Sequence, residues 1–219
     1  MLVNLFLAVL PSVILITYFM KFDRFNPEPP RLLTKLFLAG CFSVIPAIII
    51  EMMIREPEPL TYVNYFIYCC LGIGLVEEGV KYFFAKMLAY RHNAFDEIYD
   101  GIIYCVMVSL GFATVENILY VMQYGRSVAI TRMITAVPAH AIFAAAMGYY
   151  MGYGKAFPKQ RTLYRILSIV IPTLLHGFYD YILGIDFEWA LIVFLIYLVY
   201  LYRRTFRLIR ITHDIMPFK

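Results

Sequence analysis

Residues 61–89 read TYVNYFIYCCLGIGLVEEGVKYFFAKMLA. The stretch is apolar and aromatic over more than the ~20 residues that a membrane-spanning helix needs. Yet Glu77, Glu78 and Lys81 stand inside it. Whether such a helix lies in a soluble core or in lipid depends on the rest of the chain. Of its 219 residues, 62% are hydrophobic and 16% charged, and mean hydropathy is +0.73. Soluble domains carry roughly 25% charged residues. The solvent is therefore lipid, and 61–89 is one span among several.

Working outward, further apolar stretches cover 1–20, 32–54, 98–123, 133–151, 164–184 and 187–202, which gives seven spans in all. Backbone in hydrocarbon must satisfy its own hydrogen bonds, and runs of this length exclude the roughly ten-residue alternating strands of a membrane barrel. The expected fold is an all-α, polytopic transmembrane bundle forming a single domain over 1–219. The first twenty residues lack a basic leader and a small-residue cleavage site, so they read as a retained span.

The Lys and Arg residues alternate between the ends of these spans. Lys21, Arg24, Arg31 and Lys35 fall on one side with Lys86, Arg91, the 155–165 cluster and the 203–219 cluster; Arg55, Arg126 and Arg132 fall on the other. By the positive-inside rule the N-terminus is outside and the C-terminus cytoplasmic. The net charge of +4 comes from these short clusters, which suit lipid headgroups rather than nucleic acid. Cys41, Cys69, Cys70 and Cys105 lie in apolar segments, without zinc-knuckle spacing or a disulfide framework, and read as packing residues. The proline-rich segment from Asp23 to Pro30 cannot continue a helix and is a cytoplasmic connector.

An ionisable side chain is costly at the bilayer centre unless paired or hydrated, so each one within a span is a functional candidate. Glu77 and Lys81 are four residues apart and share a helix face, where an ion pair offsets the burial cost. Glu78 points about 100° away from Glu77 around the helix. Span four carries Glu116 and Asn117, span five carries His140 two residues after Pro138, and span six carries His176 with Asp180 one turn on. Pro138 is expected to loosen its helix, and Asp180 to hold the imidazole tautomer of His176. Glu116, His140 and His176 each lie seven or eight residues from the outer end of their spans. At ~1.5 Å per residue they share a level roughly 10 to 12 Å below the outer surface. Glu51, at the outer end of span two, is expected to snorkel, and Asp100 to act at the start of its helix.

In order along the chain, Glu77-Glu78-x-x-Lys81, Phe112-x-x-x-Glu116-Asn117, His140 and His176-x-x-x-Asp180 resemble the motifs of the PrsW family of bacterial intramembrane proteases. Asn26-Pro27-Glu28-Pro29 and Asp100-Gly101 match as well, so the resemblance covers nearly the whole chain. PrsW proteases are similar in turn to the CAAX prenyl protease and bacteriocin-processing family. This chain departs from that wider pattern, having Lys81 where an arginine one residue later is usual and Glu116 where a histidine stands. The resemblance implies a stress-response hydrolase of the cell membrane. It would cut a membrane-anchored anti-sigma factor on its extracytoplasmic side and so start a cascade that frees a sigma factor.

Peptide hydrolysis needs an activated water, a proton donor for the leaving amine and oxyanion stabilisation. The expected catalytic set is Glu77, Glu78, Glu116, His140 and His176, supported by Lys81, Asn117 and Asp180. Glu77 is the proposed base, His140 orients the water, and His176 and Asn117 are the oxyanion candidates. No cofactor is required on this reading. The alternative within enzymes is a zinc ion held by Glu78, Glu116, His140 and His176. From other classes, the buried charges would suit an ion- or proton-coupled transporter or a non-catalytic membrane scaffold; the first often shows an internal repeat, which the sequence lacks.

Overall fold

The computed structural model describes residues 2–22, 26–58, 61–186 and 188–213. The start of the expected connector, including Arg24, and the last residues, including Lys219, lie outside them. The helices are α1 (Leu2–Phe22), α2 (Pro30–Glu51), α3 (Tyr62–Ile67), α4 (Leu75–Ala89), α5 (Ile98–Tyr124), α6 (Arg126–Ile134), α7 (Ala136–Ala156), α8 (Arg161–Gly184) and α9 (Ala190–His213). The segment Tyr68–Gly74 is π-helical and joins α3 to α4 in one rod, Tyr62–Ala89. No strand occurs among the described residues.

Among the described residues, six stretches are long and apolar enough to cross a bilayer: α1, α2, the α3–α4 rod, α5, α6 with α7, and α8 with the short turn before it. The seventh expected span, 187–202, falls on α9, which is not among the six. Its second half carries Arg203, Arg204, Arg207 and Arg210, charges that a bilayer core does not accept cheaply.

Helix α5 forms the axis of the bundle and packs against α1, α2, α4 and α7. Every side chain from Ile98 to Thr114 is buried, as expected of a helix that is apolar on all sides. Helix α7 approaches α5 at Gly101 and Gly148, where a Cβ on either glycine would overlap the carbonyl oxygen of the other. In lipid, where hydrophobicity does not drive helices together, such close backbone contact supplies the packing energy.

At the basic end, Asp100 Oδ2 accepts from the backbone N–H groups of Asp96 and Glu97 at 2.8 and 2.6 Å, closing the N-terminus of α5 as its position suggested. The connector is tied to the same place. Asn26 donates to Asp96 and Glu97, each at 3.2 Å, and Tyr104 donates to the buried Glu28.

Candidate active site

The π-helical segment YCCLGIG ends three residues before Glu77. Its wider turn sets the phase at which Glu77 and Glu78 leave the rod, and insertions of this kind recur at functional sites. The backbone continues through Gly72 and Gly74 without a break. Helix α8 closes on this segment at Gly177, where a Cβ would collide with the backbone of Cys70. That approach brings His176 to the two glutamates.

Helix α7 begins at Ala136, so Pro138 sits in its first turn. There a missing N–H costs nothing. The expected loosening of the helix at Pro138 is therefore corrected: the proline lies in the first turn of α7, two residues ahead of His140.

Lys81 Nζ donates to Glu77 Oε2 at 2.9 Å and to Glu78 Oε1 at 2.8 Å, and lies 3.1 Å from His140 Nδ1. The Phe112 ring lies 4.1 Å beneath the ammonium. His176 Nδ1 is 3.0 Å from Glu78 Oε1, and its Nε2 is 3.4 Å from Asp180 and 3.9 Å from Glu77. The two imidazole rings stand edge to face at 5.3 Å, and Phe143 stacks on His176. All of these groups except Asp180 are buried.

A cavity of about 630 Å³ lies against this cluster, and Glu77, Glu116, His140, His176 and Asp180 reach its wall. Glu78 does not, and is fully buried. The adjacent glutamates are thus separated by the helix turn: one faces open space, the other holds Lys81 and His176 from behind. Glu51 also reaches the cavity, with a buried Oε1 that has no hydrogen-bond partner. Snorkelling does not describe it.

Glu116 stands one layer out. Its Oε2 is 2.8 Å from His140 Nε2 and 2.8 Å from Arg132. Arg132 also donates to Asn117 Oδ1 at 3.1 Å and stacks on Tyr120 at 4.0 Å. Asn117 spends its other amide group on Ala8 of α1, at 2.8 Å. Both ends of the amide are engaged away from the cavity, so the oxyanion role expected of Asn117 is corrected to a positioning one. Arg132, which the sequence presents only as a charge at the end of a span, is the member of this hydrogen-bond network that sequence reasoning missed.

Glu77, Glu78, His140 and His176 each offer a ligand atom within 4.8 Å of the others. Two carboxylates and two imidazoles are donors that zinc accepts, and Glu78 Oε2 is buried without a partner. The set fits a divalent cation, with Glu77 where the sequence alternative had Glu116. In the arrangement described, the Lys81 ammonium satisfies three of these four side chains.

The family profile described as "PrsW family intramembrane metalloprotease" matches residues 28–203. Proteins named Protease PrsW are similar along most of their length. That of Geobacillus kaustophilus is 38% identical over 84% of this chain and 80% of its own. That of Clostridioides difficile is 36% identical over 90% and 86%, and that of Bacillus subtilis 37% identical over 83% of each. No solved structure matches the chain.

Proposed function

The chain belongs to the PrsW family of intramembrane proteases, and from that premise we propose that its substrate is a single-span membrane protein of the anti-sigma-factor class, cut near the extracytoplasmic side as the first step in releasing a sigma factor. Membership of a protease family sets aside the transporter and scaffold readings. The observation that carries the hydrolytic reading is the convergence of Glu77, Glu78, His140 and His176 within 4.8 Å, three of which, Glu77, His140 and His176, line a cavity of about 630 Å³. The extracytoplasmic side is supported by the cavity's other walls. They include Ile48 and Glu51 at the end of α2, Tyr65 at the start of the rod, and Gly184 at the end of α8. These helix ends lie opposite those bearing the basic clusters.

Glu77, the glutamate that faces the cavity, takes the proton from the attacking water. His140, held by Glu116 through Nε2, keeps its Nδ1 toward the cluster and orients that water. His176, fixed between Glu78 and Asp180, supports the developing oxyanion, and Glu77 passes the proton taken from water to the leaving amine as the C–N bond breaks. Lys81 balances the two carboxylates and keeps the pair affordable in hydrocarbon. The unpartnered Glu78 Oε2 favours a second reading, in which the same four residues hold zinc. Bound there, zinc would supply a water ionised near neutrality.

Purified protein and a tagged single-span substrate test both readings, with the cut site mapped by mass spectrometry. Cleavage on the cytoplasmic side, or full activity in a folded Glu77→Gln variant, would overturn the proposal. Metal content measured with activity after chelation separates the two mechanisms.

A further inference from the structure

The opposite end of the bundle holds a second cavity, an open cleft of about 920 Å³ between the ends of α4 and α7, the loop after α4 and the start of α8. Lys86, Arg91, Lys155, Arg161 and Arg165 line it, against a single carboxylate, Asp96. Asp96 Oδ1 accepts from Asn26 at 3.2 Å. None of the five cations forms an ion pair among the described residues. Two spend a donor on backbone carbonyls, Lys155 on His92 and Arg161 on Gly154, each at 3.4 Å. Arg165 Nε is buried with no hydrogen-bond partner, and its guanidinium lies 5.7 Å from the centre of the Tyr90 ring. The Lys155 ammonium lies over Phe95 at 4.4 Å.

Five like charges converging on one cleft repel one another, and the repulsion grows as water is excluded. An anion relieves it. Guanidinium and ammonium groups together suit the tetrahedral oxygens of a phosphate. The cleft wall also includes Phe83 and Met87, one turn apart on α4 and 58% and 55% exposed. In a membrane that exposed face meets acyl chains, so the cleft joins a lipid-facing apolar strip to a cationic pocket. By the charge rule this end of the bundle is the cytoplasmic one, where basic pockets between helices take anionic headgroups.

We propose that this cleft binds the phosphate of an anionic phospholipid from the cytoplasmic leaflet, with Lys155, Arg161 and Arg165 on the headgroup and the acyl chains against Phe83 and Met87. The site is independent of the proteolytic reading, since it shares no wall residue with the cavity at Glu77.

The test is native mass spectrometry of the full chain in zwitterionic detergent, titrated with phosphatidylglycerol, phosphatidylcholine or inorganic phosphate, with the thermal midpoint followed in parallel. Phosphatidylglycerol is expected to be retained and to raise the midpoint by several degrees; phosphatidylcholine is not. Arg161→Gln/Arg165→Gln is expected to weaken retention at least tenfold. Arg203→Gln/Arg207→Gln, which removes the same charge from exposed positions on α9, is expected to keep it. If the paired variant does not fold, Arg161→Gln and Lys155→Gln are each expected to weaken retention at least threefold. Equal retention of phosphatidylcholine, equal loss in the α9 variant, or unchanged retention in the folded cleft variants would overturn the site. Displacement of the lipid by millimolar inorganic phosphate would overturn the lipid as its source.

Discussion

The Nε2 of His140 lies 2.8 Å from Oε2 of Glu116, so the carboxylate that the sequence placed among the catalytic groups acts on the site through a histidine. The imidazole is held from one side by α5 and presents its other nitrogen to the cluster on α4. A group in this position fixes tautomer and ring orientation.

Glu116→Gln should therefore lower kcat by about 10- to 100-fold with little change in KM. Arg132→Gln should act in the same direction, and the double variant should lose less than the sum of the two singles, because both act through His140. A double-mutant cycle on substrate cleavage checks this. Fully additive effects would place Arg132 on a separate task.

Glu77→Gln and Glu78→Gln should differ in kind. The first is expected to keep the fold and lose about 10²- to 10⁴-fold in rate, the range attributed to a general base. The second removes a fully buried negative charge shared by Lys81 and His176, and should lower the thermal midpoint as well as the rate. Thermal unfolding measured beside cleavage separates them; an unshifted midpoint in Glu78→Gln would remove its positioning role.

Lys81→Met leaves two buried carboxylates without their counter-charge. Breaking a buried ion pair from one side costs about 3–5 kcal/mol, so the variant should express poorly or unfold at markedly lower temperature. Lys81→Met/Glu78→Gln, with one carboxylate neutralised, should recover part of that loss. If zinc is the resident cation, Lys81→Met should instead retain metal at least as well as the parent, measured by elemental analysis of protein purified without chelator.

Gly148→Ala places a methyl group on the carbonyl of Gly101. Helices α5 and α7 must then separate along their contact, at a cost of about 1–3 kcal/mol. Gly79→Ala, where nothing lies within 4 Å of the added carbon, should be neutral or slightly stabilising through helix propensity. Unfolding in detergent micelles compares the two.

The sequence by itself determined the solvent and the class, and it singled out the candidate members of the site. Lipid selects apolar side chains along each span, so composition reveals the helices without any knowledge of their contacts. The same energetics made Glu77, Glu78, Glu116, His140 and His176 conspicuous, because ionisable groups do not persist in hydrocarbon without a reason. Their division of labour was decided only in three dimensions. Which glutamate faces the cavity depends on the π-helical turn ahead of Glu77, and hydrogen-bond registry of that kind is not written in hydrophobic period. That Glu116 stands behind His140, and that Asn117 reaches back to Ala8, depends on how closely α1, α5 and α7 approach. Arg132 was invisible because a basic residue at the end of a span carries the same signal whether it meets water or folds back onto a buried carboxylate. The choice between those two fates is made by packing, which no single helix contains.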